Sequence, residues 1–456
     1  MASGEGHDVP AGTTVGTTLS TGGNMMRDKR RTTTRWAAAV TAFSAAAVLL
    51  LGFPAPSTAA STGSSSGDIS VGAISSLTGA IAADFDAFVP GMQAYFDMIN
   101  ATGGVNGHKL KLTANLDDAG NPSQFTSLTH TLLQQDHVSA VAISTFFFNP
   151  SLYAQSGVPT YGYNVSGNWN GPDNLFAAGG SVQDFQAGVA PISWIIKQTK
   201  SKSVAVMSYG KAITSSYGAC NAFANGLKAA GVTVSYTDLS AELGGNYSSA
   251  VQKMQQSGTD FILSCMQSSD NITLARAVQQ YGLKVHQLWL SGYDQSVLNQ
   301  YSPLMQGVYF NVNGNVPFQA PKAFPGAYPG MQQYLTAMQK YEPKFVSSDQ
   351  ALQGWESAAL LAAGVQKAGN NVTPANIVAQ TNKITNFTAN GLSAVTDWTK
   401  VHTTQTYPGC SAFVKVQGAK FIPVAIKGHQ VFACFNKKVN YKNPTPVTPP
   451  PGTPGT

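Results

Sequence analysis

The chain has 456 residues, of which 43% are hydrophobic and only 11% charged, with 45 glycines and 24 prolines. That apolar content is enough to bury substantial cores, and glycine plus proline stay well below the roughly 25–30% of low-complexity disorder, so a wholly disordered protein is excluded. The net charge of +6 sits at the two ends: residues 1–60 carry five cations against three carboxylates, and seven lysines follow from Lys400 with no carboxylate, leaving 61–399 at −3. A nucleic-acid partner is therefore not expected, because a binding domain of that kind concentrates basic side chains on its folded body.

The first sixty residues read as an export signal, with a membrane anchor as the alternative. Arg27 to Arg35 precede an apolar run from Trp36 to Phe53, then Pro54, Pro56 and the small residues Ser57 to Ala60. This is the order of basic region, apolar region and cleavage site, with cleavage near Ala59 or Ala60, and Met25 or Met26 would serve equally as its start. The first cysteine is Cys220, so no cysteine near that site could carry a lipid. Four cysteines in an exported chain imply two disulfides. Three pairings are possible; Cys220–Cys265 with Cys410–Cys434 is the expected one, the second closing what reads as a terminal hairpin.

After a Ser/Gly linker at 61–67, strand and helix patterns alternate. Ile69–Ile74 alternates as a strand, and a helix over 85–99 places Phe88, Met92, Tyr95, Phe96 and Ile99 on one face. Asn106-Gly107 is a turn before the strand 108–116. Asn121, Pro122 and Gln124 then read as N-cap, N1 proline and capping-box partner of a helix running to about Gln135. Strands follow at 140–143 and 158–161. The rhythm repeats with strands at 204–207, 232–236, 261–264 and 288–290 and helices at 217–230, 247–257 and 272–281. Helices near 329–341, 354–368 and 374–380 come next, then β-rich sequence to about Phe435. The Pro-rich tail over 441–456 should be extended and mobile. Such alternation implies parallel sheets covered by helices on both faces, here in two runs.

The opening run Ile69 to Gly79 with its Thr78-Gly79, the helix end Ile99-Asn100-Ala-Thr-Gly-Gly-Val-Asn-Gly107, and Asp117-Asp118 resemble periplasmic binding proteins of the leucine/isoleucine/valine type, the solute receptors of ABC importers. Ser216-Tyr217-Gly218, Asp260-Phe-Ile and Trp355-Glu-Ser-Ala are similar to later landmarks of that family. The resemblance covers about 68–435. It implies an α/β fold of two Rossmann-like lobes with parallel sheets joined by a three-strand hinge: lobe 1 over 68–182 plus about 314–400, lobe 2 over 183–313 plus about 401–440. It also implies a ligand in the cleft, and open parallel sheets do bind ligands beyond the carboxyl ends of their strands.

No Gly-x-Ser-x-Gly, His-Glu-x-x-His or Gly-x-x-x-x-Gly-Lys-Ser/Thr pattern occurs, so a non-enzymatic receptor is expected, without cofactor or metal. His130 and His137 lack further ligands, and Asp117 and Asp118 point to opposite faces of a strand. Binding candidates are the loops at strand ends: Thr78 to Phe85, Ser144 and Thr145 with Phe146–Phe148, and Tyr163, Asn164 and Ser166. By resemblance, Ser144 or Thr145 and Ser166 supply hydroxyls to a ligand carboxylate. Tyr217 and Gln267 face the ligand from lobe 2, and Asp294, beside Tyr293, holds a ligand ammonium. The three phenylalanines point to a larger apolar or aromatic ligand than leucine. The expected function is binding a branched-chain or apolar amino acid, or a related amide or aromatic molecule, for delivery to permease subunits. A secreted sensory or surface protein is the alternative, and a hydrolase would need a nucleophile–base pair that the sequence does not offer.

Overall fold

The structure is a computed structural model describing residues 67–165, 169, 171–180, 188–402, 409–436 and 438–456. The export-signal segment, the linker up to residue 66 and Ser166 lie outside the described residues. In the first half the elements run β1 (Ile69–Ser75), a 3₁₀ turn (Ala82–Asp84), α1 (Phe88–Ala101), β2 (Leu110–Asp117), α2 (Pro122–His130), β3 (Ala140–Ser144), α3 (Pro150–Ala154), β4 (Thr160–Gly162) and β5 (Leu175–Ala177). The strands form one parallel sheet in the order β2-β1-β3-β4-β5. β1 and β3 are short, nearly all-apolar runs buried on both faces, as strands inside a helix-covered parallel sheet must be.

The second half runs α4 (Val189–Gln198), β6 (Ser203–Tyr209), α5 (Thr214–Ala229), β7 (Thr233–Ala241), α6 (Ser248–Gln256), β8 (Phe261–Ser264), α7 (Ser268–Gln280), β9 (His286–Trp289), α8 (Gln295–Tyr301) and β10 (Tyr309–Asn311). Its parallel strands are ordered β7-β6-β8-β9-β10, the same arrangement as the first sheet. The chain then returns to the first lobe through α9 (Ala320–Ala323), α10 (Pro329–Tyr341), α11 (Asp349–Ala368), α12 (Pro374–Thr381) and α13 (Trp398–Val401). It finishes in the second sheet with antiparallel β11 (Cys410–Gln417), β12 (Lys420–Pro423) and β13 (Phe432–Cys434). The two lobes are thus connected by three passages of chain.

α11 anchors the first lobe. It packs on α1, and Trp355 meets Tyr95 and Tyr334 edge to face at 5.0 and 5.4 Å. Both disulfides form as expected, Cys220–Cys265 joining α5 to the end of β8 and Cys410–Cys434 joining β11 to β13. Three local expectations change. The helix expected from residue 85 starts at Phe88, because a 3₁₀ turn takes up 82–84 and turns Phe85 into the interior. Asn121 caps α2, but Gln124 donates to the Asp117 carbonyl rather than closing a capping box, and a π-turn replaces regular helix over 131–135. The tail is docked rather than mobile: the Val447 amide donates to the Cys434 carbonyl at 2.8 Å, Gln430 bonds the Pro454 carbonyl, and Thr453 is buried.

Candidate functional site

Both parallel sheets change winding direction beside their first strand, between β1 and β3 in one lobe and between β6 and β8 in the other. At such switch points adjacent loops diverge and leave a crevice outside the carboxyl ends of the strands. The loops that line one cavity of about 150 Å³ follow those ends. Asp84 and Phe85 come after β1, Phe146 after β3, Tyr163 and Asn164 after β4. From the other lobe come Ser215 and Ser216 after β6, Met266 and Gln267 after β8, and Leu290 and Ser291 after β9. Ile192 of α4, Ala219 and Phe223 of α5, Gln353 of α11, and Asn311 and Asn313 at the end of β10 also line it. An apolar cavity of roughly this size takes one benzene-sized molecule.

The wall is mainly aromatic and aliphatic. Phe85 meets Phe146 edge-on at 4.5 Å and Tyr163 at 5.7 Å. Among the described residues no lysine, arginine or histidine lines it, and Asp84 is the one carboxylate. Asp84 belongs to the first lobe but is bonded to the second: its Oδ1 accepts from Ser268 Oγ at 3.0 Å and Ser291 Oγ at 2.9 Å. Burial pushes its carboxyl up to about 6 against these hydroxyls, which favour the charged form. Among the described residues no cluster of three or more His, Cys, Asp or Glu could hold a metal ion.

Residues 68–420 match the sequence pattern of the family described as periplasmic binding protein. The chain belongs to the periplasmic binding protein family. Among its relatives, the Leu/Ile/Val-binding protein homolog 3 of Brucella melitensis is 26% identical over 48% of this chain and 59% of its own length. The Leu/Ile/Val-binding protein BraC3 of Rhizobium johnstonii is 32% identical over 36% of this chain and 46% of its own length. The chain thus spans about half the length of the curated relatives it matches. In fold it is similar to a fatty acid ABC transporter substrate-binding protein from Thermomonospora curvata, with a TM-score of 0.67 and 17% identity over 85% of this chain and 96% of the other. It is also similar to a branched-chain amino acid ABC transporter protein from Thermus thermophilus with bound valine, with a TM-score of 0.65 and 13% identity over 78% and 95% of the two chains. No helix among the described residues is long and apolar enough to cross a membrane.

Five of the residues singled out from the sequence of this periplasmic binding protein line the cavity: Phe85, Phe146, Tyr163, Asn164 and Gln267. Phe147 and Phe148 do not, and neither do six others. Thr78 is exposed, its hydroxyl donating to Asp117 at 2.6 Å, so it ties its loop to β2 instead of reaching the cavity. Ser144 Oγ donates to the Phe85 carbonyl, and Thr145 Oγ1 accepts from Ser76 Oγ and the Phe147 amide; both are spent on holding the loops. Tyr217 does not line the cavity, which α5 reaches through Ser215, Ser216, Ala219 and Phe223; Lys211 Nζ lies 5.8 Å from the Tyr217 ring. Tyr293 is core, stacked on Phe318 at 4.5 Å with its hydroxyl on Gln319. Asp294 caps α8, accepting from the amides of Ser296 and Val297. Ser166 lies outside the described residues.

Sequence reasoning included Asp84 only as part of the candidate loop Thr78 to Phe85, without singling it out, and missed Ser215, Ser291 and Gln353. For Gln353 a signal existed: Asp349, Gln353 and Glu356 recur at spacings of four and three along the mostly apolar α11, and Gln353 of this stripe lines the cavity. Asp349 Oδ2 accepts from the Tyr163 hydroxyl at 3.4 Å, and Glu356 Oε1 from the Gly179 amide at 2.9 Å. Burial pushes both carboxyls up to about 7. Each therefore binds its proton more tightly in the folded chain than in the unfolded one. Their stabilising contribution is full below the unfolded values near 4 and is lost as pH rises through 7. Urea unfolding at pH 5 and pH 8 should show lower stability at pH 8, and Glu356→Gln should remove about 3 kcal/mol of that difference. An unchanged pH dependence in the variant would show that Glu356 is not buried as described.

Proposed function

We propose that this chain is the exported solute receptor of an ABC importer, and that its ligand is an apolar amino acid or a closely related amine. The observation that carries this reading is the charge inventory of the cavity among the described residues: one carboxylate, Asp84, and no cation, in a wall whose other members are apolar or neutral polar side chains. The ligand's ammonium would sit against Asp84 and its apolar part against Phe85, Phe146 and Phe223. The leucine/isoleucine/valine-binding names of two relatives agree with this ligand class. A bare apolar acid is disfavoured, since it would place a second anion beside Asp84. Permease subunits would read the ligand-bound form.

Closure follows from the same residue. Asp84 projects from the first lobe into the hydroxyls of the second, so an ammonium that compensates its buried charge stabilises the joined arrangement. Ligand shifts the lobe equilibrium by its difference in affinity for the two states. A thermal-shift panel of apolar amino acids, their amines and their deaminated acids tests the reading at pH 7.5. At a hundred times Kd the stabilisation is about 2.7 kcal/mol, readily seen as a higher melting temperature. Amino acids or amines are expected to give the shift. A shift from the acids alone would overturn the proposal.

A further inference from the structure

We infer that the amino-terminal turn of α5, with Ser215 and Ser216, forms a carboxylate subsite, so that the ligand lies with its carboxylate toward the second lobe and its ammonium toward the first. The orientation rests on the amino-acid reading above for its ammonium half; the carboxylate half stands on α5 itself. That helix has 16 residues and is entered at Ile213 without a side-chain cap. The first-turn N–H groups of a helix have no partner within it and carry its positive end, which makes this turn an anion acceptor by construction.

The side chains add an independent sign. Ser215 is 4% exposed and lines the cavity, yet its hydroxyl has no hydrogen-bond partner. Gln353, at 2% exposed and reaching the same cavity from the first lobe, has its Oε1 on the Asn164 amide and its amide nitrogen toward the Asp349 carboxyl. Ser216 Oγ accepts from the Tyr209 amide, which leaves its own hydrogen to give. A buried donor without an acceptor is rare and costly, and Ser215 presents one beside Ser216 in the wall of this cavity. These side chains are neutral, which suits a carboxylate that brings its own counter-charge. The polarity is the reverse of the one implied by the family resemblance, and for a physical reason. Ser144 and Thr145 bond within their loops and do not line the cavity, and Asp294 caps its helix, whereas Asp84 and α5 supply opposite poles on the opposite lobes.

The test is calorimetric titration of the wild type, Ser215→Ala and Ser215→Asp with three sets of probes. These are L-leucine and L-phenylalanine, their decarboxylated amines (3-methylbutylamine and phenethylamine), and their deaminated acids (4-methylpentanoate and 3-phenylpropionate). Ser215→Ala should weaken the amino acids about tenfold and leave the amines within twofold. Ser215→Asp places a carboxylate in the subsite itself. It should weaken amino acids and acids at least a hundredfold and spare or tighten the amines. Its carboxylate would be buried as Asp84 is, so the helix dipole offsets only part of the desolvation and a lower melting temperature is expected; Ser215→Ala, which adds no charge, carries the test should this variant not fold. Amino-acid affinity that survives Ser215→Asp, or an equal loss for amino acids and amines, overturns the subsite. If the wild type binds only the deaminated acids and Ser215→Asp abolishes that binding, the subsite stands and the amino-acid reading falls. If no probe binds the wild type, both fall.

Discussion

Replacing Asp84 by asparagine is expected to make the protein more stable and to make it a far poorer receptor. The carboxyl of Asp84 is pushed up from 3.8 to about 6 by burial, so at pH 8 its charged form costs on the order of 3 kcal/mol of stability. Asparagine has nearly the same shape, and its side-chain oxygen can still accept from Ser268 and Ser291. The inter-lobe contact survives while the desolvated charge is gone. What disappears is the partner for an ammonium, and hydrogen bonds to charged groups contribute about 1.5–3 kcal/mol. Affinity for apolar amino acids and amines should therefore fall roughly a hundredfold as the melting temperature at pH 8 rises. Opposed changes of this kind mark a residue kept for function at the expense of stability. Calorimetry and thermal melts on the same preparation check it. Unchanged affinity would remove Asp84 from the binding site, and a lower melting temperature would show that its charge stabilises the fold.

The second large effect is structural. Alanine in place of glycine inside an exposed helix ordinarily gains about 1 kcal/mol. Gly354→Ala should do the opposite and cost about 3 kcal/mol or more. A Cβ at Gly354 would lie 1.8 Å from the Phe88 carbonyl oxygen, and one at Gly91 would lie 1.9 Å from the Ala351 carbonyl oxygen. α1 and α11 are in backbone contact at these two glycines, and a methyl group there has only backbone to displace, so the helices must separate. Because α11 also carries Gln353 into the cavity, ligand affinity should weaken together with stability. Urea unfolding of Gly354→Ala and Gly91→Ala measures this; stability equal to the wild type would mean that the two helices do not approach so closely.

Most of the fold could be read from periodicity, because two-residue and 3.6-residue patterns are local properties. The strands Ile69–Ser75, Ala140–Ser144 and Phe261–Ser264 and the helices Pro329–Tyr341 and Pro374–Thr381 fall within a residue or so of where their patterns place them. The site was less legible, since its members meet only through tertiary structure. Asp84 looks like one polar residue in a loop until the second lobe brings Ser268 and Ser291 to it. Asp294 illustrates competing principles at one position: an aspartate immediately before a helix is an N-cap, and that local role took the carboxylate offered by resemblance to the ligand. Tyr217 does not line the cavity, which α5 reaches through Ser215, Ser216, Ala219 and Phe223 instead. The hydroxyls of Ser144 and Thr145 sit at the expected strand end, but neighbouring backbone and side chains in the closely packed loops already use them.

That one small apolar ammonium-bearing molecule is held between the two lobes is tested most directly by equilibrium dialysis of the purified protein against radiolabelled L-leucine and L-phenylalanine at pH 7.5. Saturable uptake of one molecule per chain is expected for at least one of them, with a Kd in the micromolar range, about −8 kcal/mol. Absence of saturable uptake of either at millimolar concentration would contradict it.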